Sequence, residues 1–179
     1  MTLPFTKCIM QINIIAACAL NRIIGRHGRL PWSVLTDWTY FLTHTQGDVC
    51  IMGRKSFEEF PSSHERRAIV ISRTLYDAKI ALPHAKVAKS YENALEIAND
   101  EQLKKVWICG GEKVYNTALP TANKLFLTRM HMYVDGDTYF PSWHSQFTSL
   151  QFCRLIQDKQ LRLDLYLLLP IAGDCIHMS

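Results

Sequence analysis

The chain has 179 residues, of which 48% are hydrophobic, enough for one domain that buries its own core without metals or cross-links. Its formal net charge of +4, from 20 Lys and Arg against 16 Asp and Glu, is too small and too dispersed to indicate a nucleic-acid-binding surface, although it favours an anionic ligand. No stretch approaches the roughly 20 apolar residues of a membrane span, so no membrane insertion is predicted.

The first segment of the chain superficially resembles a secretory signal, because Lys7 precedes an apolar run over 8–20. Gln11 and Asn13 interrupt that run, and cleavage after it would remove a strand that the next segment needs. We therefore expect no signal peptide and a cytoplasmic protein.

Apolar or alternating runs predict strands along the whole chain. They cover 12–17, 48–52, 68–72, 105–109 and 124–130 and, less distinctly, 151–156 and 164–169. Helical patterns lie between the earlier strands, which is typical of a parallel sheet. The last third has strands without intervening helices, as antiparallel pairing requires.

Four helices are predicted between these strands. The first follows Pro31 and Ser33, and its apolar face consists of Leu35, Trp38, Phe41 and Leu42. A short helix is predicted over 56–60, and a fourth over 112–119, stopped by Pro120. Ser90 can cap the third helix, in which Ala94, Leu95 and Ala98 are expected to face the core.

These elements predict an α/β fold with a mixed, mostly parallel central sheet, flanking helices and an antiparallel C-terminal extension. We expect a single domain over 1–179 with a core of about 10–169. The sequence assigns no role to the extensions 1–9 and 170–179.

The six cysteines include no C-x-x-C pair, and His44 and His64 stand in no metal-ligand spacing with them, so no metal site is predicted. Four of the cysteines lie in apolar runs that predict strands. This placement favours small buried hydrophobic residues in a reducing cytosol over a disulfide framework.

A candidate anion site lies where a predicted strand runs into Gly53 and then into a helix. Arg54, Lys55 and Ser56 stand at the N-terminus of that helix, where free backbone N–H groups attract an anion. The Gly-four-residues-Gly-Lys-Ser spacing of a P-loop is absent.

A second strand runs into Gly110 and Gly111, and paired glycines let the backbone approach a flat or phosphorylated ligand closely. Either turn alone could be merely structural. Both turns lie at carboxyl ends of strands, with Arg73 after a third strand and Lys89 after a further candidate strand. Together they favour a dinucleotide over a mononucleotide.

Asp37 is predicted to lie among aromatic residues on the first helix. A carboxylate in such a place is costly unless a donor pairs with it, and positions 33, 34, 40 and 41 contain no Lys or Arg. Asp37 is therefore either a solvated residue of the first helical turn or a functional carboxylate whose donor arrives with a ligand.

A series of short segments spans about 10–141, with a weaker continuation to about 169. They are Ile15-Ala16-Ala17, Asn21-Arg22-Ile23-Ile24-Gly25, Leu30-Pro31-Trp32, Asp37, Phe41, Ile51-Met52-Gly53-Arg54-Lys55-Ser56, Arg66, Gly110-Gly111, Val114-Tyr115, Thr128 and Gly136-Asp137-Thr138-Tyr139-Phe140-Pro141. In order and nearly in spacing, they resemble dihydrofolate reductases. The resemblance implies hydride transfer from NADPH to C6 of 7,8-dihydrofolate with a proton added at N5, giving tetrahydrofolate for one-carbon metabolism.

The resemblance implies that Asp37, Trp32 and Thr128 form the catalytic group. The Asp37 carboxylate would accept hydrogen bonds from the 2-amino group and N3 of the pterin and would raise the basicity of N5, with water as the proton source. Thr128 would hydrogen-bond the same carboxylate and fix its orientation.

The resemblance also implies a path for the rest of the substrate. Ile15 and Phe41 would flank the pterin and benzoyl rings, and Arg66 would hold the α-carboxylate of the glutamate tail through its planar guanidinium. Trp38 and Phe60 add bulk where relatives often have smaller aliphatic residues, and the resemblance implies that this either narrows the substrate site or alters the affinity for diaminopyrimidine inhibitors. The segment 61–65 is one residue shorter than in relatives and lacks their leucine, which puts tail binding there in question.

For NADPH, the resemblance implies a mobile lid, a nicotinamide-ribose and pyrophosphate site, and a cationic site for the 2′-phosphate that favours NADPH over NADH. It also implies a cis peptide bond between Gly110 and Gly111. The assigned cofactor residues are Ala17, Ile24, Gly25, Leu30, Gly53, Arg54, Lys55, Ser56, Ser72, Arg73, Lys89, Cys109, Gly110, Gly111, Glu112, Lys113, Val114 and Tyr115.

Two alternatives stay open. A pyrimidine reductase of riboflavin synthesis shares the fold and NADPH, but Leu30-Pro31-Trp32 followed by Asp37 and Phe41 speaks against it. A non-catalytic NADPH- or folate-binding relative is compatible with Trp38, Phe60 and the short 61–65 segment. The predicted partners are dihydrofolate and antifolate inhibitors, and the predicted state is a monomer.

Overall fold

The computed structural model describes residues 9–60, 66–82, 84–159 and 161–171. The shortened segment 61–65, the residues before Ile9 and those after Ile171 therefore lie outside the described residues, and so do Cys8, His64 and Cys175.

An eight-stranded sheet forms the centre of the fold. Its strands are β1 (Gln11–Ala19), β3 (Val49–Gly53), β4 (Ala68–Ile71), β5 (Ala85–Ala88), β6 (Lys105–Ile108), β7 (Lys124–Met130), β9 (Phe147–Asp158) and β10 (Leu161–Pro170). They lie in the order β5-β4-β3-β6-β1-β7-β10-β9. All pairings from β5 to β7 are parallel, and β10 then pairs antiparallel with both β7 and β9. The predicted mixed, mostly parallel sheet is confirmed.

Two short strands lie outside this sheet. β2 (Ile23–Gly25) pairs antiparallel with β8 (Thr138–Tyr139), more than a hundred residues away. Neither strand was predicted, because two or three residues carry no detectable periodicity. The candidate strand before Lys89 is confirmed as β5.

Within the described ranges, five helices flank the sheet: α1 (Leu35–Thr45), α2 (Arg54–Glu58), α3 (Arg73–Asp77), α4 (Tyr91–Asp100) and α5 (Glu112–Ala118). The Ser90 cap is confirmed, since its hydroxyl oxygen accepts a hydrogen bond from the Asn93 backbone N–H at 3.2 Å. α3 was not predicted. Pro120 lies inside a 3-10 turn (Leu119–Thr121) that directly follows α5.

The predicted start and inner face of α1 need correction. Its N-cap is Val34, without a side-chain hydrogen bond, rather than Pro31 or Ser33. Leu35, assigned to the apolar face, is 75% exposed, because it lies in the first turn, ahead of the part of the helix that packs on the sheet. Trp38 and Phe41 are half-buried, as that face requires.

Buried residues cover both faces of the sheet. One cluster includes Ile14, Ile51 and Ile108 with residues of α4 and α5, and the other includes Ile15, Met52 and Trp107 with residues of α1. Among the described residues, no helix has the length and apolarity needed to cross a bilayer.

The four described cysteines form no disulfide. Cys18 and Cys50 are buried as predicted, and Cys109 is half-buried. Cys153 is exposed, which contradicts its assignment as a buried residue, because β9 is an edge strand with most of its side chains in solvent.

Candidate active site

The two glycine turns predicted from the sequence lie side by side at the carboxyl ends of β3 and β6. The Gly53 backbone N–H donates to the Gly110 carbonyl oxygen at 2.7 Å. A Cβ atom on Gly110, whose φ is +115°, would lie 3.3 Å from the Ser56 Oγ and 3.4 Å from the Tyr115 hydroxyl oxygen. Gly110 is buried, and the absence of a side chain there lets Ser56 and Tyr115 pack directly against the backbone of the turn.

The same turn contains further predicted residues. A Cβ atom on Gly53 would lie 3.6 Å from Val114 Cγ2, and one on Gly111 would lie 3.2 Å from the Ser56 Oγ. The peptide bond between Gly110 and Gly111 is cis, as the resemblance implies. Nothing in the structure explains the negative charge of Glu112, which begins α5 beside this turn.

Predicted cations surround this edge of the sheet. α2 and α3 begin with Arg54 and Arg73 directly after the parallel strands β3 and β4, and the Ser72 Oγ caps α3 by accepting from the Leu75 N–H at 3.3 Å. The side chains of the five predicted cations at this edge are all exposed, and these residues are Arg54, Lys55, Arg73, Lys89 and Lys113.

Most of these cations have no acidic partner within the described part of the chain. Arg54 pairs with Glu58, with 2.8 Å between Nη1 and Oε1, and the other four form no ion pair among those residues. The Lys89 Nζ lies 6.0 Å from the centre of the Tyr76 ring. Four exposed positive groups therefore lie after the carboxyl ends of four parallel strands, at the edge of the sheet that also holds the glycine turns, and can neutralise a phosphorylated ligand there.

Asp37 lies in the first turn of α1 and is half-buried. Within the described ranges, no Lys, Arg or His nitrogen lies within 4.0 Å of its carboxylate. Burial raises its pKa from 3.8 to about 6, and hydrogen bonding to the Thr128 side chain lowers the pKa in part. Asp37 is thus an ionisable group without a cationic partner, as the functional interpretation of this residue requires.

The floor beside Asp37 is formed by β1 and β7. Thr128 is buried and pairs with Ala17 across the two strands, and Ile15 lies two residues before Ala17 on the same face of β1. The Tyr115 hydroxyl donates to the Ile15 carbonyl oxygen at 2.9 Å, which ties α5 to this floor.

Asp37 is not the only titratable group in its surroundings. Cys18, Tyr40 and Tyr115 all respond to the charge of Asp37. Burial raises the pKa of Cys18 and of Tyr40 to about 12, and it raises the pKa of Tyr115 well above its ordinary value. These groups stay protonated near neutral pH, so Asp37 is the one among them that ionises there.

The segment 20–34, here called the lid segment, joins β1 to α1 and is tied to the loop before β8. The Asp137 N–H donates to the Gly25 carbonyl oxygen at 3.1 Å, and the His27 N–H donates to the Asp137 Oδ2 at 2.9 Å. A Cβ atom on Gly136 would lie only 2.5 Å from the Gly25 oxygen, so these backbones are in close contact. The lid segment is therefore anchored at a few defined atoms.

Three predicted residues of the lid segment differ in exposure. Ile24 is half-buried against the core, whereas Leu30 is 57% exposed. The Trp32 indole Nε1 is buried and has no hydrogen-bond partner among the described residues. A buried donor of this kind is available to a ligand or to a water that a ligand orders.

Arg66 is held at the C-terminal end of α1. Its Nη1 donates to the Thr45 Oγ1 at 2.6 Å and its Nη2 donates to the Leu42 carbonyl oxygen at 3.3 Å. Sequence reasoning missed Thr45, since no local signal links residues that are 21 positions apart.

Sequence reasoning also missed two further site residues. Asp137 was noted only as part of a matching segment, without its role as an anchor. Cys50 was not singled out, although it hydrogen-bonds Cys109 at the glycine turn, and this contact lowers the pKa of Cys50.

Comparisons with known proteins agree on one family. The model of a family described as "Dihydrofolate reductase" matches residues 11–168. A dihydrofolate reductase of Neisseria meningitidis is 37% identical over 136 residues, which cover 75% of this chain and 81% of that protein. A dihydrofolate reductase of Haemophilus influenzae is 32% identical over 144 residues, or 80% and 86% of the two chains. One of Staphylococcus haemolyticus is 32% identical over 133 residues, or 74% and 77%.

Proposed function

The chain belongs to the dihydrofolate reductase family and has the activity of that family, and on this premise we propose which residues perform the reaction and with which cofactor. The proposed reaction transfers a hydride to C6 of 7,8-dihydrofolate and adds a proton at N5. NADPH, when bound, supplies the hydride.

The observation that carries the residue assignment is the half-buried Asp37 carboxylate, which has a pKa of about 6 and no cationic partner among the residues that the structure describes. Ionised Asp37 accepts hydrogen bonds from the 2-amino group and N3 of the pterin, which satisfies the carboxylate and fixes the ring. Its negative charge raises the basicity of N5, to which water delivers the proton. Thr128 orients the carboxylate from β7, and Ile15 forms the apolar surface under the pterin.

The cofactor site is proposed at the paired glycine turns. The backbone of Gly53, Gly110 and Gly111 admits the pyrophosphate and the nicotinamide ribose, beside Ser56, Cys109, Val114 and Tyr115. The exposed cations of this edge, with Ser72, hold the 2′-phosphate and the pyrophosphate, and this charge favours NADPH over NADH.

The lid segment is proposed to exclude water from the reacting atoms. Ile24, Gly25 and Leu30 cover the nicotinamide, with Ala17 at the base, and the free Trp32 indole N–H orders a water or a ligand atom next to them. Arg66, already fixed on α1, presents its remaining guanidinium N–H groups to the tail carboxylate of the substrate.

The test is the oxidation of NADPH by the full chain with dihydrofolate, repeated with Asp37→Asn. Turnover should fall sharply at neutral pH and recover in part on acidification, because substrate protonated in solution no longer needs the carboxylate. Asp100→Asn, an exposed acid at the end of α4, is the matched control and should behave as the parent chain. Unchanged turnover in Asp37→Asn contradicts the role assigned to Asp37.

No observation favours the pyrimidine reductase or the non-catalytic relative, and turnover of dihydrofolate distinguishes the proposed function from both. The monomeric state and the cytoplasmic location stay predictions.

A further inference from the structure

The two outermost strands of the central sheet differ in how well their edges are protected. β5, on one side, has only four residues and carries the exposed Lys86, whose Nζ lies 2.6 Å from the Glu101 Oε1. A short edge strand with a lysine resists pairing with another chain. β9, on the other side, has 12 residues and exposes the side chains of Leu150, Phe152 and Leu155. A further strand can therefore add to the sheet at β9 but not at β5.

Only the second half of β9 has a regular edge. Its pairing with β10 shifts register twice, which leaves Thr148 and Gln151 without a partner, and such bulges bend a strand. The stretch 152–158, here called the edge segment, pairs with β10 without a shift. Every second residue of such a strand directs its backbone N–H and C=O groups away from the paired strand. Within the described ranges these outward groups of the edge segment bond to no other segment.

The edge segment carries two opposite charges at equal distances from one apolar residue. Arg154 and Asp158 each lie two residues from Ile156, and the alternation of a strand places all three on the same face. Neither charge forms an ion pair with another described residue. The Asp158 Oδ2 accepts a hydrogen bond from the Thr36 hydroxyl at 2.6 Å, and Oδ1 has no partner among the described residues.

This spacing makes the edge segment complementary to a reversed copy of itself. Two identical strands that pair antiparallel about a two-fold axis place each residue opposite the one equally far beyond the centre. With the centre at Ile156, each Arg154 lies opposite Asp158 of the second copy, and the two Ile156 side chains meet at the axis. With the centre at Arg154, two guanidinium groups face each other, and like charges directly opposite are destabilising. No other centre in the edge segment places the two charges opposite each other.

We infer that the edge segment is a docking surface for a second copy of this chain, which pairs with it antiparallel about Ile156 and joins the two central sheets. Backbone hydrogen bonds, two ion pairs and the apolar contact at the axis hold the pair together. The surface is small, so the association is weak, with a Kd on the order of 100 µM. The inference does not depend on the proposed function. It opposes the monomeric state predicted from the sequence, and the association of the full chain decides between them.

The first test is sedimentation equilibrium of the full chain over a concentration series that brackets this Kd, at low ionic strength because salt screens exposed ion pairs. Arg154→Glu and Asp158→Lys each place like charges opposite and should raise the Kd about tenfold, equal to about 1.4 kcal/mol. The double variant restores two opposite pairs, so its Kd should return to within about twofold of the parent value. Lys104→Glu and Asp100→Lys make the same charge changes at exposed positions elsewhere and should leave the Kd unchanged.

A second test measures the centre of the pairing directly. Ile156→Cys, in a chain that also carries Cys153→Ser, should form a disulfide with its own copy on oxidation with diamide. Opposed residues have Cα atoms about 4.5–5.5 Å apart, which lies within the reach of a disulfide. Leu150→Cys in the same background is the control, because its copy lies 12 residues further along the pair, or about 40 Å away. Non-reducing electrophoresis gives the linked fraction of each variant.

A parent chain that stays monomeric throughout the concentration series overturns the inference, and so does cross-linking of Leu150→Cys to the same extent as Ile156→Cys. Association that neither charge reversal weakens, or that the double variant does not restore, shows that another surface pairs and overturns it too. The cross-linking test keeps the inference falsifiable if a charge-reversed chain does not fold.

Discussion

Replacement of Asp37 by Asn should make the ligand-free protein more stable while it impairs catalysis. The folded chain raises the pKa of Asp37 from 3.8 to about 6 because burial disfavours the charged carboxylate. Each pKa unit corresponds to about 1.4 kcal/mol, so ionised Asp37 destabilises the fold by at most about 3 kcal/mol. Asn has nearly the same shape and no charge, and its amide oxygen can still accept the Thr128 hydrogen bond.

The sign of the pH dependence follows from which state binds more protons. Between pH 3.8 and about 6, folded Asp37 holds its proton while the unfolded chain has lost it. The stability of the parent chain therefore falls as the pH rises through this window and levels off above it. Asp37→Asn lacks this fall, so its advantage should be about half as large near pH 5 as near pH 7.5.

Urea unfolding of both proteins at the two pH values measures this difference in the free energy of unfolding. Asp100→Asn, which changes an exposed acid, should show no comparable gain. An Asp37→Asn chain that is less stable than the parent near neutral pH, or whose advantage does not vary with pH, would show that the carboxylate is not desolvated in the fold.

Two further substitutions probe the cofactor site and the lid segment. Arg73→Ala should raise the KM for NADPH about tenfold and leave the KM for NADH nearly unchanged, because only NADPH carries the 2′-phosphate. Arg154→Ala, on the exposed face of β9, is the control. Equal effects of Arg73→Ala on the two KM values would refute the phosphate assignment. Gly136→Ala places a Cβ atom 2.5 Å from the Gly25 carbonyl oxygen and should lower turnover about tenfold, because it detaches the lid segment. Gly47→Ala is the control: Gly47 has a φ of +79° and lies in open space, so this change should lower only the free energy of unfolding, by about 1 kcal/mol. Similar turnover in both variants would exclude an anchoring role for Gly136.

Much of the sheet was predictable because its strands are buried and apolar. The range 124–130 coincides with β7, and the interruption of the helical pattern after it correctly indicated the antiparallel end of the sheet. β2 and β8 escaped prediction because their pairing depends on a contact between distant parts of the chain. The exposure of Cys153 was missed for a related reason, since composition does not reveal that β9 lies at an edge.

The candidate site was predictable as a set of residues but not as a set of contacts. Gly53, Gly110 and Asp37 are each conspicuous in their local sequence. The bond from Arg66 to Thr45 and the closure of Phe60 over α1 join segments whose local patterns are unrelated, and only the folded chain brings them together.

In the cofactor site that we propose at the glycine turns, nucleotide affinity depends on the hydrogen bond from the Gly53 N–H to the Gly110 oxygen and so on how the interior strands are paired. The two turns meet only because Ile51 lies opposite Ile108 in the pairing of β3 with β6. A slip of one residue between these strands would move the turns apart without altering any ligand-contacting side chain. A genetic selection for weakened nucleotide affinity should therefore recover substitutions at Ile51 and Ile108, deep positions that no nucleotide touches.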